Sequence, residues 1–268
     1  MNTGDISSLL QNYWRLYLNG TLATIVLSIV GTLGGLFLGI FLAFGKKLKT
    51  KGEPWYQQIW KWPLKVLCQA YSLVVRGTPM MVQAMIFKYG CQGAGLNWNN
   101  VLPGVDTWNG WMIAGLIVIT FNTAAYMGEI IQAGLNGVDR GQLEGAKSLG
   151  MSDMQTLFHV TLPQAIRNSI PTIGNEWIVN IKDSSVLNVI SVSELYWQAH
   201  SAASKNYMYM ATYLIIAVIY LTLTLITTGI LKFVEFKMDG KKAKFSFKNL
   251  FFHYHAEEKK DGKKEEVK

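Results

Sequence analysis

The longest apolar run in this chain, residues 21–44, is interrupted only by glycine, serine and threonine and never by a charge. About 20 such residues, rising 1.5 Å each, are enough to cross the hydrocarbon of a bilayer, whereas a soluble helix would carry polar residues on one face. Four further stretches share this character to different degrees: about 67–89, 111–135, about 170–192 and 209–233. The pattern predicts an all-α integral membrane protein with about five transmembrane helices. Gly31, Gly35 and Gly39 lie four apart in the first run and share one helical face, which predicts a seam for close helix packing. The second stretch is interrupted by Arg76, Gly77 and Pro79. The fourth is the least apolar and holds Glu176, Lys182 and Asp183.

The charges lie where they can orient these helices. Lys46, Lys47, Lys49, Lys51 and Lys61 fall between the first and second stretches, and Arg140, Lys147 and Arg167 follow the third. Of the other two connections, one holds a single charge, Asp106, and the other offers only Lys205 as a basic residue, while the chain from Lys232 onward is rich in lysine. Basic loops face the cytoplasm, so the N-terminus is expected outside and the C-terminus inside, as an odd number of crossings requires. This gives three regions: an extracytoplasmic N-terminal segment (1–20), a transmembrane domain (21–235) with a cytoplasmic loop at about 136–169, and a basic, charged cytoplasmic tail (236–268).

Composition agrees, with 50% of the 268 residues hydrophobic. The net charge of +8 would suggest nucleic acid in a soluble protein, but membrane orientation accounts better for where the lysines fall, so no nucleic-acid partner is expected. Cys68 and Cys91 have no metal-type or CxxC spacing and read as packing residues. The first apolar run is too long for the core of a signal peptide and reads as an uncleaved span. In the tail, 257–268 reads as a disordered charged extension, and 245–254 could lie on the anionic inner leaflet or form a short helix.

The loop at 136–169 is too long for a simple connection. Residues 142–149 have helical composition, and Gly150 stands where a glycine would end that helix. Ser152 is placed to cap a second helix, with Gln155 as its capping-box partner. That helix should run through Met154, Leu157 and Phe158 and stop before Pro163. Two short helices joined by a glycine make a knob that a soluble motor could grip.

Glu144-Gly145-Ala146, followed by Gly150 and Leu162-Pro163, resembles the EAA loop of the permease subunits of binding-protein-dependent ABC importers. Three further stretches resemble polar-amino-acid permeases: 126–134, 162–167 continuing through Gly174-Asn175-Glu176 to Lys182-Asp183-Ser184-Ser185, and Arg76-Gly77-Thr78-Pro79 with Gln83. The likeness covers most of 21–233 and departs in the loop core, where Gly145 stands for the usual alanine. It implies that Glu144, Gly145, Ala146, Leu149 and Gly150 couple the chain to separate ABC ATPase subunits, which hold the ATP and Mg, so that this chain binds no cofactor. It also implies an extracytoplasmic amino-acid-binding protein, a homodimer or a heterodimer with a sister permease, contact with membrane lipids, and a place in the bacterial cytoplasmic membrane.

A charge at mid-bilayer costs roughly 2.5–3.5 kcal/mol on insertion scales, so each one asks for a reason. Glu176 and Asp183 are seven apart and lie on nearly the same helical face. They could face a polar cavity and hold the amino group or side chain of an amino acid, or they could pair with Arg76, Lys182 or a partner subunit. Arg76 and Thr78 sit beside Pro79, which opens the helix, and Arg76 could clamp a carboxylate or reach toward headgroups. Gln83 and Ser184, both within the family-like motifs, complete the substrate-path candidates. Glu129 is expected to bridge to the coupling loop.

Two other classes of function are weaker. A membrane hydrolase would need a nucleophile–base set, and neither GxSxG nor HExxH occurs, so neither a catalytic residue nor a metal site is expected. An ion-coupled secondary carrier or a channel for small polar solutes would have no use for the two-helix knob. No phosphate loop of the form GxxxxGK[ST] is present, so the energy must come from a partner.

Overall fold

The structure, a computed structural model, describes residues 3–48, 55–96 and 110–239. Among them it is helical, without strands: α1 (Thr3–Lys47), α2 (Trp55–Gly77), α3 (Met80–Gly93), α4 (Trp111–Asn136), α5 (Arg140–Ser148), α6 (Asp153–Thr156), α7 (Leu162–Asp183), α8 (Leu195–Asn206) and α9 (Tyr209–Asp239). A π-turn, Leu157–Thr161, joins α6 to α7, and a 3-10 segment, Ser184–Ile190, follows α7. The chain forms two compact units, Met1–Thr224 and Leu225–Lys268; the second is described as far as Asp239 and contains the end of α9. Among the described residues, three helices are long and apolar enough to cross a membrane, over Ile6–Lys47, Trp111–Asn136 and Tyr209–Met238. The second and fourth expected spans are divided instead, at the α2–α3 break and at the end of α7.

The glycine seam packs α1 directly on α4. A Cβ at Gly31 would fall 2.9 Å from Ile119 Cγ2, one at Gly35 2.7 Å from Thr123 Cβ, and one at Gly39 2.5 Å from Met127 Cβ. The contacted residues are themselves four apart, so two faces of matching period mesh along the whole contact. Small residues let the backbones approach closely, which supplies dispersion contacts where lipid offers no hydrophobic driving force.

Helix α1 begins well before residue 21. Ile6, Leu9, Tyr13 and Tyr17 recur every three or four residues and pack against Leu195 and Ala199 of α8 and Ala211, Ile215 and Ile216 of α9. Residues 3–20 are thus the amphipathic first turns of α1, held by an apolar stripe among polar neighbours such as Gln11, Asn12 and Arg15. The final segments 245–254 and 257–268 lie outside the described residues.

Pro79 divides the second stretch as expected: α2 ends at Gly77 and α3 starts at Met80 with Pro79 extended (φ −63°, ψ 137°). Pro163 behaves differently. It does not end a helix but lies in the first turn of α7, where its missing N–H is one of the groups a helix start leaves unpaired. The preceding π-turn resets the hydrogen-bond register and lets α6 run on into α7. At its far end α7 stops at Asp183, not near Val192. The chain tightens into the 3-10 segment and turns at Ser191 (φ 70°) before Glu194 caps α8.

Candidate functional site

The loop between α4 and α7 is a rigid knob. The Asp139 carboxylate caps α5 by accepting the Gly141 N–H at 2.6 Å, and Gly150 follows the helix in the left-handed region (φ +76°). Ser152 and Gln155 form the reciprocal capping box, Ser152 N–H to Gln155 Oε1 at 2.9 Å and Gln155 N–H to Ser152 Oγ at 3.2 Å. Lys147 pairs with Asp153 at 3.2 Å, tying α5 to α6. Leu143 and Leu157 seat the knob on a core of Ala43, Ile131, Leu135, Val138 and Ala165, and Ala146 is buried.

The outward face of this knob is not covered by any other part of the described chain. Leu149 is 84% exposed, and Glu144, Gly145 and Gly150 are exposed beside it. Glu144 has no ionic partner among the described residues. A Cβ at Gly145 would meet nothing within 4 Å, so packing within this chain does not demand glycine there. A shallow cavity of about 340 Å³ lies alongside, lined by Leu149, Gly150, Met151, Gln155 and His159.

Deeper along the helices, the sequence candidates separate into two groups. The first lies at the α2–α3 break. Gln83 Nε2 reaches the Val75 carbonyl at 2.7 Å, the Thr78 carbonyl at 3.0 Å and Thr78 Oγ1 at 2.9 Å, while its Oε1 accepts from Asn122 Nδ2 at 3.0 Å. Thr78 Oγ1 donates to the Val74 carbonyl at 2.8 Å. Gln83 therefore staples a break that would otherwise leave carbonyls unpaired, and fixes it to α4. Arg76 lies 3.1 Å from Glu129 Oε1, an oxygen that Lys46 also reaches at 2.7 Å, and stands over the Tyr126 ring at 5.8 Å. In place of the expected bridge to the coupling loop, Glu129 joins α4 to α1 and α2. It supplies the countercharge that a lysine with a 5% exposed side chain requires.

The second group lies on α7. One face of this helix is sealed: Asn180 donates to Thr32 Oγ1 at 2.8 Å and accepts from Thr123 Oγ1 at 3.0 Å, and the Trp177 indole donates to Ser28 Oγ at 3.3 Å. The other face is polar and open, with Asn168, Thr172, Asn175 and Lys182 exposed and Glu176 and Asp183 half-buried. Neither carboxylate has a salt-bridge partner among the described residues, Lys182 and Arg76 included. Ser184 is fully buried and donates to the Ile181 carbonyl at 2.9 Å. A cleft of about 450 Å³ runs between α4 and the start of this face, lined by residues including Glu129, Gly134, Asn168 and Thr172. No described hydrogen bond or ion pair joins the two groups.

Two structural residues escaped the sequence reading. Glu194 is fully buried. Its carboxylate accepts the Trp197 and Tyr196 N–H groups at 2.8 and 2.9 Å and the Tyr220 hydroxyl at 2.9 Å. A glutamate before an apolar stretch is a weak cap signal, and the expected fourth span ended just before it. Asn180 was hidden because a mid-helix asparagine has no pattern of its own.

Long apolar helices, two interrupted ones and an open polar face describe a membrane-embedded protein with a protruding two-helix knob. Residues 58–240 match the family described as binding-protein-dependent transport system inner membrane component, and the chain belongs to it as a permease subunit. It is 33% identical over 221 residues to the arginine transport system permease protein ArtQ of Bacillus subtilis, covering 82% of this chain and 91% of that protein. It is 31% identical to the probable glutamine ABC transporter permease protein GlnM of the same organism, over 82% of this chain and 92% of that one. Among solved structures, an amino acid ABC transporter crystallised with histidines matches at a TM-score of 0.72 and 34% identity, over 85% of this chain and 96% of its own. The inward-facing MetNI methionine ABC transporter shares the fold at 13% identity, with a TM-score of 0.63 over 84% and 97% of the two chains.

Proposed function

We propose that this permease carries a polar amino acid inward across the bacterial cytoplasmic membrane, driven by separate ATPase subunits that bind the ATP and Mg. The observation that carries this reading is the bare tip of the knob. Leu149, Glu144 and Gly145 form an exposed tip on a loop that is otherwise capped and anchored, and a large exposed apolar side chain beside a charge suits a protein-docking surface. The names of the similar proteins, transporters or permeases for arginine, glutamine or unspecified amino acids, support the substrate class. An extracytoplasmic binding protein delivers the solute.

Five crossings, with the N-terminus outside and the tail inside, fit the basic loops and bring the knob to the cytoplasmic side. The path runs along the open face of α7. Glu176 and Asp183 are placed there for an amino group or basic side chain, and Arg76 at the α2–α3 break for a carboxylate once it exchanges Glu129 for substrate. An open polar face in a membrane needs water or protein against it, so a second copy or a sister permease closes the path. Glu144→Arg and Leu149→Asp are expected to abolish co-purification of the ATPase while leaving the helical content of the permease unchanged. ATPase retained by both variants would refute the docking role.

A further inference from the structure

We propose that this chain holds an anionic phospholipid in a groove between α1, α2 and α4, with an acyl chain lying in the groove and the phosphate on Lys47 and Lys65. The groove, of about 590 Å³, is walled from its deep end at Leu38, Tyr71 and Phe121 to its mouth at Leu48 and Leu64. Apart from the Tyr71 hydroxyl, which is occupied with the Phe121 carbonyl, its side chains are apolar. Leu38 to Leu48 is ten residues of helix, about 15 Å at 1.5 Å per residue. That is half the roughly 30 Å hydrocarbon core, the depth of one leaflet.

The mouth bears what a headgroup needs. Lys65 Nζ lies 3.3 Å from the Leu48 carbonyl, which places an ammonium with two further hydrogens at the rim. Lys47, exposed and without a partner among the described residues, adjoins Leu48. Trp60, one turn before the groove-lining Leu64 on α2, is 54% exposed, and tryptophan gathers at the headgroup level. An apolar slot one leaflet deep, with a tryptophan and two lysines near its mouth, matches the geometry and charge of an anionic lipid. A second copy of the chain would not need the lysines. The preference for an anionic inner leaflet rests on the orientation given above, but the site itself does not.

The test is native mass spectrometry of the full chain released from nanodiscs of equal parts phosphatidylglycerol and phosphatidylcholine. The chain should retain phosphatidylglycerol about thirtyfold over phosphatidylcholine, the scale set by two lysines at about 1 kcal/mol each. The double variant Lys47→Gln/Lys65→Gln should lose that preference but still hold lipid. Leu67→Trp, at a residue lining the groove and 67% exposed, should reduce retention of both lipids, with circular dichroism confirming the fold. Equal retention of the two lipids by the wild type, an unchanged preference in the lysine variant, or displacement of the lipid by inorganic phosphate alone would overturn the proposal. Transport does not enter this readout, so its failure would leave the importer reading standing.

Discussion

Helices α7 and α9 both expose side chains, and the two surfaces differ in kind, polar on α7 and apolar on α9. On α9, Leu214, Val218 and Leu221 are 44%, 63% and 57% exposed. Such a surface costs nothing in hydrocarbon and a great deal in water. On α7 the exposed residues are Asn168, Thr172, Asn175 and Lys182, for which the preference is reversed. Exposure in a single chain therefore carries two meanings: an apolar surface suited to lipid on one helix, and a polar surface that needs water or protein on the other. The hidden face of α7 is fastened to α1 and α4 by hydrogen bonds through Asn180, so the open face is presented from a fixed support.

Charge substitution should break the comparison most forcefully. Leu221→Asp is expected to cost roughly 2.5–3.5 kcal/mol of insertion free energy, while Asn175→Asp should be nearly neutral, as read from the fraction of each variant integrated in membranes. The supporting face of α7 comes next. Asn180→Leu strands the Thr32 and Thr123 hydroxyls and should destabilise the folded chain by about 1–3 kcal/mol in unfolding measurements. Gly145→Ala should stabilise the isolated chain by at most about 1 kcal/mol, since open space surrounds the new methyl. Smallest in energy but sharpest in meaning is thiol labelling in a background lacking Cys68 and Cys91. Asn175→Cys should react with a membrane-impermeant reagent in the presence of permeabilised membranes, and Val218→Cys should not; equal labelling of both would erase the distinction between the faces.

What could be read in advance was local and periodic. Gly31, Gly35 and Gly39 announced a seam because spacing alone puts them on one face. Ser152 and Gln155 announced a cap because the motif needs only three residues of context, and Pro79 marked a break because it cannot donate. Pro163 misled because whether a proline ends a helix depends on the hydrogen-bond register before it, and a π-turn shifts that register without a sequence sign. The early start of α1 was masked by Gln11, Asn12 and Arg15, whose polarity hides an apolar stripe that only α8 and α9 reveal. Glu129, Asn180 and Glu194 owe their roles to partners far away in sequence, and one chain read alone cannot reveal them.

The central claim, that this permease moves an amino acid only when an ATPase grips its α5 knob, can be tested directly in liposomes containing the permease, its ATPase and its binding protein. Uptake of labelled amino acids should require ATP with the wild type and vanish with Glu144→Arg. Uptake that persists in that variant, or without the ATPase, would contradict the account and point to an ion-coupled carrier.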